Sequence, residues 1–202
     1  MDIDGYKYVI SATLLALLGY IAGGIIGNVV LWLGIASALF ISFFFRDPER
    51  KITAGKGVVL SPADGRVVAC DKRSDGKKEI AIFMSLFNVH VNRSPVSGEV
   101  TSVKYERGKF FVASKDEASE QNERNEITIK TEHGDIIVRQ IAGFLARRIV
   151  CRVKAGDRLN IGERLGIIKF GSRVEVVLPE TAHLMVDKGD RVVGGRTIIA
   201  KF

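Results

Sequence analysis

Between Tyr8 and Phe45 the chain runs for 38 residues without one Asp, Glu, Lys, Arg or His. As a single helix that run would be about 57 Å long, nearly twice the roughly 30 Å hydrocarbon core of a bilayer. One straight span does not house it. A reversal near the middle does, because Gly23-Gly24-Ile25-Ile26-Gly27-Asn28 holds the residue types a tight turn needs. Two stretches of crossing length result. Lys7 and the amino terminus flank one side, Arg46, Arg50 and Lys51 the other, and the turn between them is uncharged. The positive-inside tendency then puts both ends, and the domain that follows, on the cytoplasmic side of a cell membrane. A cleavable signal peptide would be shorter and would start from a basic cluster. One tilted span followed by an interfacial helix is the alternative. Residues 1–45 are thus expected to be a membrane anchor of two transmembrane helices.

Residues 46–202 read differently. They carry +8 of charge against −1 for the first 45 residues, and they are numerous enough to bury a core unaided. Short β-branched runs alternate with Gly, Pro and Asp punctuation, as in 57–60, 66–69, 79–83, 126–130 and 135–138. Many short strands at such spacing predict a mainly β sandwich or barrel. The polar stretch Ala113 to Asn125 reads as a loop. Two echoes recur at an offset of 33 residues. Ser61-Pro62-Ala63-Asp64-Gly65 is matched by Ser94-Pro95-Val96-Ser97-Gly98, and Gly156-Asp157-Arg158 by Gly189-Asp190-Arg191. Paired turn-strand units of this kind look like the folded-over barrel-sandwich of lipoyl and biotinyl carrier domains, an analogy of fold and not of function.

Several chemistries find no support. His90, His133 and His183 lack metal-ligand spacing, and Cys70 and Cys151 are too few and too distant for a disulfide scaffold or a metal site. No phosphate-binding glycine motif is present. The basic residues are scattered, and a tethered domain meets anionic lipid before nucleic acid, so no nucleic-acid partner is expected.

Ile168-Lys169-Phe170-Gly171-Ser172-Arg173-Val174 places a Gly-Ser step within strand-like sequence. Alone, such a step indicates only a turn. It is accompanied, in order along the chain, by Phe44-Phe45-Arg46-Asp47-Pro48-Glu49-Arg50, Ser61-Pro62-Ala63-Asp64-Gly65, Phe87-Asn88-Val89-His90-Val91-Asn92-Arg93 and Asn122-Glu123-Arg124. Together these segments resemble the pyruvoyl-dependent phosphatidylserine and archaetidylserine decarboxylases, specifically their short branch.

The resemblance implies a proenzyme that cuts itself between Gly171 and Ser172 into a long chain, 1–171, and a short chain, 172–202, which stay together as a heterodimer. Ser172 would become a covalent pyruvoyl group, the cofactor, forming a Schiff base with the amine of a serine phospholipid drawn from the bilayer and leaving an ethanolamine phospholipid. Serine suits the step because its oxygen is first nucleophile and then leaving group, and Gly171 removes steric obstruction. His90 is implied as the base, with Asp64 holding its imidazole. Arg173 is expected to contact the phosphate or carboxylate of the headgroup. Some members carry a second histidine where this chain has Phe87, which is expected instead to wall an apolar pocket. A homodimer is a tendency of the family. Without the resemblance, Asp64 reads as a turn residue and His90 as a strand histidine. Two other functions fit the same residues: a non-enzymatic membrane-anchored adaptor or carrier with a lipoyl-like fold, and a tethered serine hydrolase, which lacks the G-x-S-x-G elbow.

Overall fold

The computed structural model describes residues 1–53, 55–108, 122–143, 148–169 and 172–202. It divides into two compact units, Met1–Glu49 and Arg50–Phe202. In the first, α1 (Tyr6–Ala22) and α2 (Gly24–Phe44) form a helical hairpin, and both are long and apolar enough to cross a bilayer. The reversal is tighter than the sequence predicts. Gly23 and Gly24 both take φ +63°, so these two residues turn the chain, and Gly27 and Asn28 are free to join α2. Gly27 then serves packing. A Cβ on Gly19 would collide with the backbone of Leu31, and one on Gly34 with that of Ala16, so the two helix backbones touch through small residues. Leu18, Ile21, Ile25, Ile26, Trp32 and Leu39 point outward, giving the hairpin an apolar exterior.

The second unit is mainly β. Its described residues form β1 (Val58–Leu60), β2 (Gly65–Lys72), β3 (Lys78–Met84), β4 (Val91–Arg93), β5 (Gly98–Glu106), β6 (Arg124–Thr131), β7 (Gly134–Ala142), β8 (Ile149–Cys151), β9 (Arg158–Leu159), β10 (Arg164–Ile168), β11 (Ser172–Leu178), β12 (His183–Leu184), β13 (Arg191–Val192) and β14 (Ile198–Lys201). An eight-stranded sheet runs β13-β2-β3-β11-β7-β6-β5-β9, with two small sheets, β1-β14-β12 and β4-β10-β8. The β-branched runs read from the sequence all become strands. Of the segment expected as a loop, Arg124 and Asn125 begin β6 instead, and residues 113–121 lie outside the described ones.

The 33-residue echo is a structural duplication. Leu60 donates to the Pro95 carbonyl at 2.9 Å, and Arg93, 33 positions on, donates to Pro62 at 2.8 Å. Val67 donates to Asp190 and Val100 to Asp157, while Gly189 donates back to Val67 and Gly156 to Val100. Arg191 pairs with Arg66 in the sheet as Arg158 pairs with Glu99. Even the bulges correspond, between Val67 and Ala69 in β2 and between Val100 and Ser102 in β5. The order of the large sheet is symmetric outward from its central pair, β11 and β7. Gly65 and Gly98 open the equivalent strands β2 and β5, and a Cβ on either would strike the carbonyl oxygen of the neighbouring strand, Phe83 or Lys130.

The core lies on one face of this sheet. Ile80, Ile82 and Met84 of β3, Val174, Val176 and Leu178 of β11, Ile136 and Val138 of β7, and Ile127 and Ile129 of β6 are all fully buried. They are every second residue of their strands, as half-buried pleating requires. β11 is buried along its whole length.

Candidate active site

At one end of the large sheet the inward row stops being apolar. Ser172, the first residue of β11, is fully buried and pairs with Met84 at the end of β3 and Ala142 at the end of β7. Its hydroxyl donates to the Met84 thioether sulfur at 3.4 Å. A thioether only accepts, and weakly, so it orients the hydroxyl without taking its proton. Phe170 and Gly171 lie outside the described residues.

The other sequence-predicted residues reach the same end. Asp64 precedes Gly65, the first residue of β2, which lies two strands from β11, about 10 Å at ordinary strand spacing. His90 precedes β4, and its carbonyl accepts from Ile168, four residues before Ser172, at 3.4 Å. The side chains, however, do not link up as expected. His90 is fully buried with Nδ1 3.0 Å from the Asn88 carbonyl. Since a carbonyl can only accept, Nδ1 carries the proton and Nε2 the basic lone pair. Asp64 instead accepts from Arg50 Nη2 and from the Gly194 backbone N–H, each at 2.8 Å. The expected Asp64–imidazole contact is not made. The guanidinium of Arg50 is a stronger partner for a carboxylate than a neutral ring N–H, and that ring N–H is satisfied two residues away.

Arg173 follows Ser172 and so faces the other side of the sheet. It is buried, with Nε 2.9 Å from the Glu175 carboxylate, in a layer where Arg139 also meets Glu79, Glu126 and Glu175. That places it away from the Ser172 hydroxyl, on the wall of a separate polar cleft of about 470 Å³. Phe87 walls no enclosed pocket either, being 72% exposed. Asn88 Oδ1 accepts from both the backbone N–H and the hydroxyl of Ser85, at 2.9 and 2.7 Å, which closes a tight turn at whose tip Phe87 projects outward.

Three residues escaped the sequence reading. Asn92 of β4, Asn125 of β6 and Gln140 of β7 are at most 1% exposed and hydrogen-bond in series. Asn92 also donates to the Met84 sulfur, at 3.6 Å. A signal was available. Asn125 falls in register with Ile127 and Ile129, and Gln140 with Ile136 and Val138, so both interrupt inward-facing apolar alternation.

The duplication isolates this end as the special one. In the equivalent half Ser97 stands for Asp64 and Gly57 for His90, and both line a cavity of about 560 Å³ that also takes in Gly98 and Lys130. A shared backbone frame thus carries Asp64 and His90 at one of its two ends and Ser97 and Gly57 at the other.

The family described as phosphatidylserine decarboxylase matches residues 37–200. Proteins named phosphatidylserine decarboxylase proenzyme are similar along nearly the whole chain. The one from Ruegeria pomeroyi is 45% identical over 87% of this chain and 85% of its own. That from Polynucleobacter asymbioticus is 42% identical over 98% and 93%, and that from Nitrosomonas europaea 44% over 98% and 94%. With a buried serine at the head of a central strand and a buried histidine just before β4, the chain belongs to the phosphatidylserine decarboxylase family of carboxy-lyases.

Proposed function

We propose that this chain is a membrane-anchored proenzyme that cuts itself between Gly171 and Ser172 and then decarboxylates phosphatidylserine, or its ether-linked counterpart archaetidylserine, to the ethanolamine lipid. The observation that carries the reading is the position of Ser172. It opens β11, which is hydrogen-bonded to β3 on one side and β7 on the other. A cut before it leaves residues 173–178 of that strand paired on both sides or, at Leu178, with β3. β13 pairs with β2, and β14 with β1, so three of the four strands of the 172–202 chain, β11, β13 and β14, pair with strands of the 1–171 chain. The two pieces would remain one fold.

In the cutting step Ser172 Oγ attacks the Gly171 carbonyl. The C–O bond forms, the C–N bond breaks, and the hydroxyl proton passes by way of His90 Nε2 to the released amine. Removal of the Ser172 α-proton then expels the Gly171 carboxylate, and water replaces the nitrogen, which leaves as ammonia. The O–H must first swing from Met84 toward the base by rotation about the Cβ–Oγ bond, which leaves the oxygen in place and costs little because the thioether bond is weak. Asp64, fixed by Arg50 and Gly194, holds the β2 end in place from outside the proton path.

The surroundings fit a pyruvoyl group. Position 172 is fully buried against Met84 and Ala142, and such a dry wall slows hydration of a ketone. The group supplies an electrophilic carbonyl next to an amide, an electron sink for the pair left by departing carbon dioxide. The hairpin tethers the domain at the bilayer where the lipid resides, with the domain on the cytoplasmic side.

Intact mass of the purified protein tests this. Two polypeptides are expected, the shorter about 17 Da lighter than an unmodified 172–202 peptide through net loss of ammonia. Ser172→Ala should stay one full-length, inactive chain. One uncut polypeptide with normal activity would remove the proposal. Assay of ester-linked and ether-linked serine lipids side by side decides between the substrates.

A further inference from the structure

Behind Ser172 runs a line of side-chain amides that apolar packing does not call for. Asn125 Nδ2 donates to Gln140 Oε1 at 3.0 Å, and Gln140 Nε2 donates to Asn92 Oδ1 at 2.9 Å. Asn92 Nδ2 donates to Met84 Sδ, the atom that also receives the Ser172 hydroxyl. All of these residues are at most 1% exposed. Their neighbours on the same face, Ile127, Val138 and Val174, show what would serve stability alone, since a carboxamide must be fully bonded merely to offset its burial.

The direction of the chain follows from its end. Sulfur can only accept, so Asn92 presents its NH₂ there and its oxygen to Gln140. Gln140 must then donate to Asn92 and accept from Asn125. Reversing any one amide would set two acceptors face to face. Methionine is otherwise the most adaptable of core side chains. Two donors converging on its sulfur fix it, and with it the Ser172 oxygen.

We propose that Asn125, Gln140 and Asn92 are positioning residues for self-cleavage. They lock the Met84 sulfur as a weak acceptor that fixes the position of Ser172 Oγ while leaving its proton available to a base. A stronger acceptor in that place would retain the proton, and an unrestrained one would let the oxygen wander. Small displacements of a reacting atom carry large rate penalties. This inference rests on the self-processing reading above.

The test follows cutting of the full chain, made by cell-free translation in the presence of phospholipid vesicles, on denaturing gels over time. Gln140→Met keeps the length of the side chain and removes both polar ends, and it should slow cutting at least tenfold. Met84→Leu, nearly volume-conserving, removes only the last link and should also slow it, which keeps the proposal testable if Gln140 variants fold poorly. Gln140→Glu supplies a readout that a purely structural role would not move. As a carboxylate it cannot donate to Asn92, whereas the protonated acid can. Its cutting rate, taken as a ratio to wild type at each pH, should therefore rise toward acid. Cutting at the wild-type rate in Gln140→Met and Met84→Leu would overturn the inference. So would a Gln140→Glu ratio that stays flat with pH. A wild-type chain that is never cut would instead remove the underlying reading, and the wild-type lane shows that separately.

Discussion

The carboxylate of Asp64 accepts the backbone N–H of Gly194 at 2.8 Å, across 130 positions of sequence. Its other oxygen holds Arg50 at the same distance, and both charged side chains are largely buried. If the chain is cut before Ser172, Arg50 and Asp64 belong to one product and Gly194 to the other. Asp64 then clasps the two. Asp64→Ala breaks the ion pair and the N–H bond together and should cost about 3 kcal/mol, at the low end for a buried pair because some solvent reaches it. Asp64→Asn keeps an acceptor for Gly194 and should cost less. Urea titration followed by gel filtration reads this as loss of the short chain at lower urea in the order Ala, Asn, wild type. Equal retention in all three would show the clasp to be immaterial.

Gly65 and Gly98 offer a test of the duplication. Each opens a strand, and at each a Cβ would meet a neighbouring carbonyl, Phe83 or Lys130. Alanine at either position should destabilise the domain by a comparable amount, about 2 kcal/mol of overpacking. Their effects on maturation should differ. Gly65 pushes on β3 next to Met84, which holds the Ser172 hydroxyl, while Gly98 pushes on β6 at the opposite end of the strand from Asn125. Gel assays of newly made chain should find Gly65→Ala cut more slowly than Gly98→Ala at matched stability. Equal cutting rates would separate the β2 end from the chemistry.

Much of this architecture can be read from residue order because it depends on local rules. A charge-free run of 38 residues must fold back, and β-branched alternation makes strands. The misreading at Gly27 and Asn28 shows the limit of residue type. Two positive-φ glycines already complete the turn, so the next candidates revert to helix and to packing. The 33-residue echo looks weak in sequence because the conserved features are backbone hydrogen bonds, which many side chains permit. The site is harder to read. Asp64 is bound by Arg50 and Gly194, His90 by the Asn88 carbonyl, and Arg173 turns to the far face simply by being one residue after Ser172. Partners at separations of 14 and 130 carry no local signature. The amides at 92, 125 and 140 come from three strands and meet only once the sheet has curled.

Cys70 makes a prediction about pH. Its thiol donates to the Val186 carbonyl at 3.2 Å, and burial, aided by the carboxylates of Asp187, Asp71 and Asp190, pushes its pKa up. The folded protein therefore keeps this proton at pH values where the unfolded chain, with a thiol near 8.5, has lost it. With more protons bound in the folded state, stability falls as pH rises from about 8. Melting temperature measured from pH 7 to 10 should decline more steeply for wild type than for Cys70→Ala once other titrations, common to both, are subtracted. Alkylation of Cys70 at neutral pH should likewise be slower than for a free cysteine, because the thiolate is the reactive form. Identical alkaline slopes would remove the thiol from the pH response.

Phe87 makes the prediction most specific to a lipid substrate. It stands at the tip of the Ser85–Asn88 turn, three residues before the buried His90, and among the described residues it is the most exposed large apolar side chain of the Arg50–Phe202 unit. A soluble substrate gains nothing from such a ring. A lipid presented from a bilayer does, because an aromatic side chain at the interface is stabilised by one apolar side and one wet side. Phe87→Ser should therefore raise KM for serine phospholipid in vesicles several-fold and leave kcat within about twofold, since the ring touches no reacting group. With a short-chain serine lipid dispersed as monomers the two proteins should behave alike. Maturation should proceed normally in Phe87→Ser, as Ser85 and Asn88 hold the turn without help from the ring. A loss of kcat on both substrates would place Phe87 in the chemistry itself.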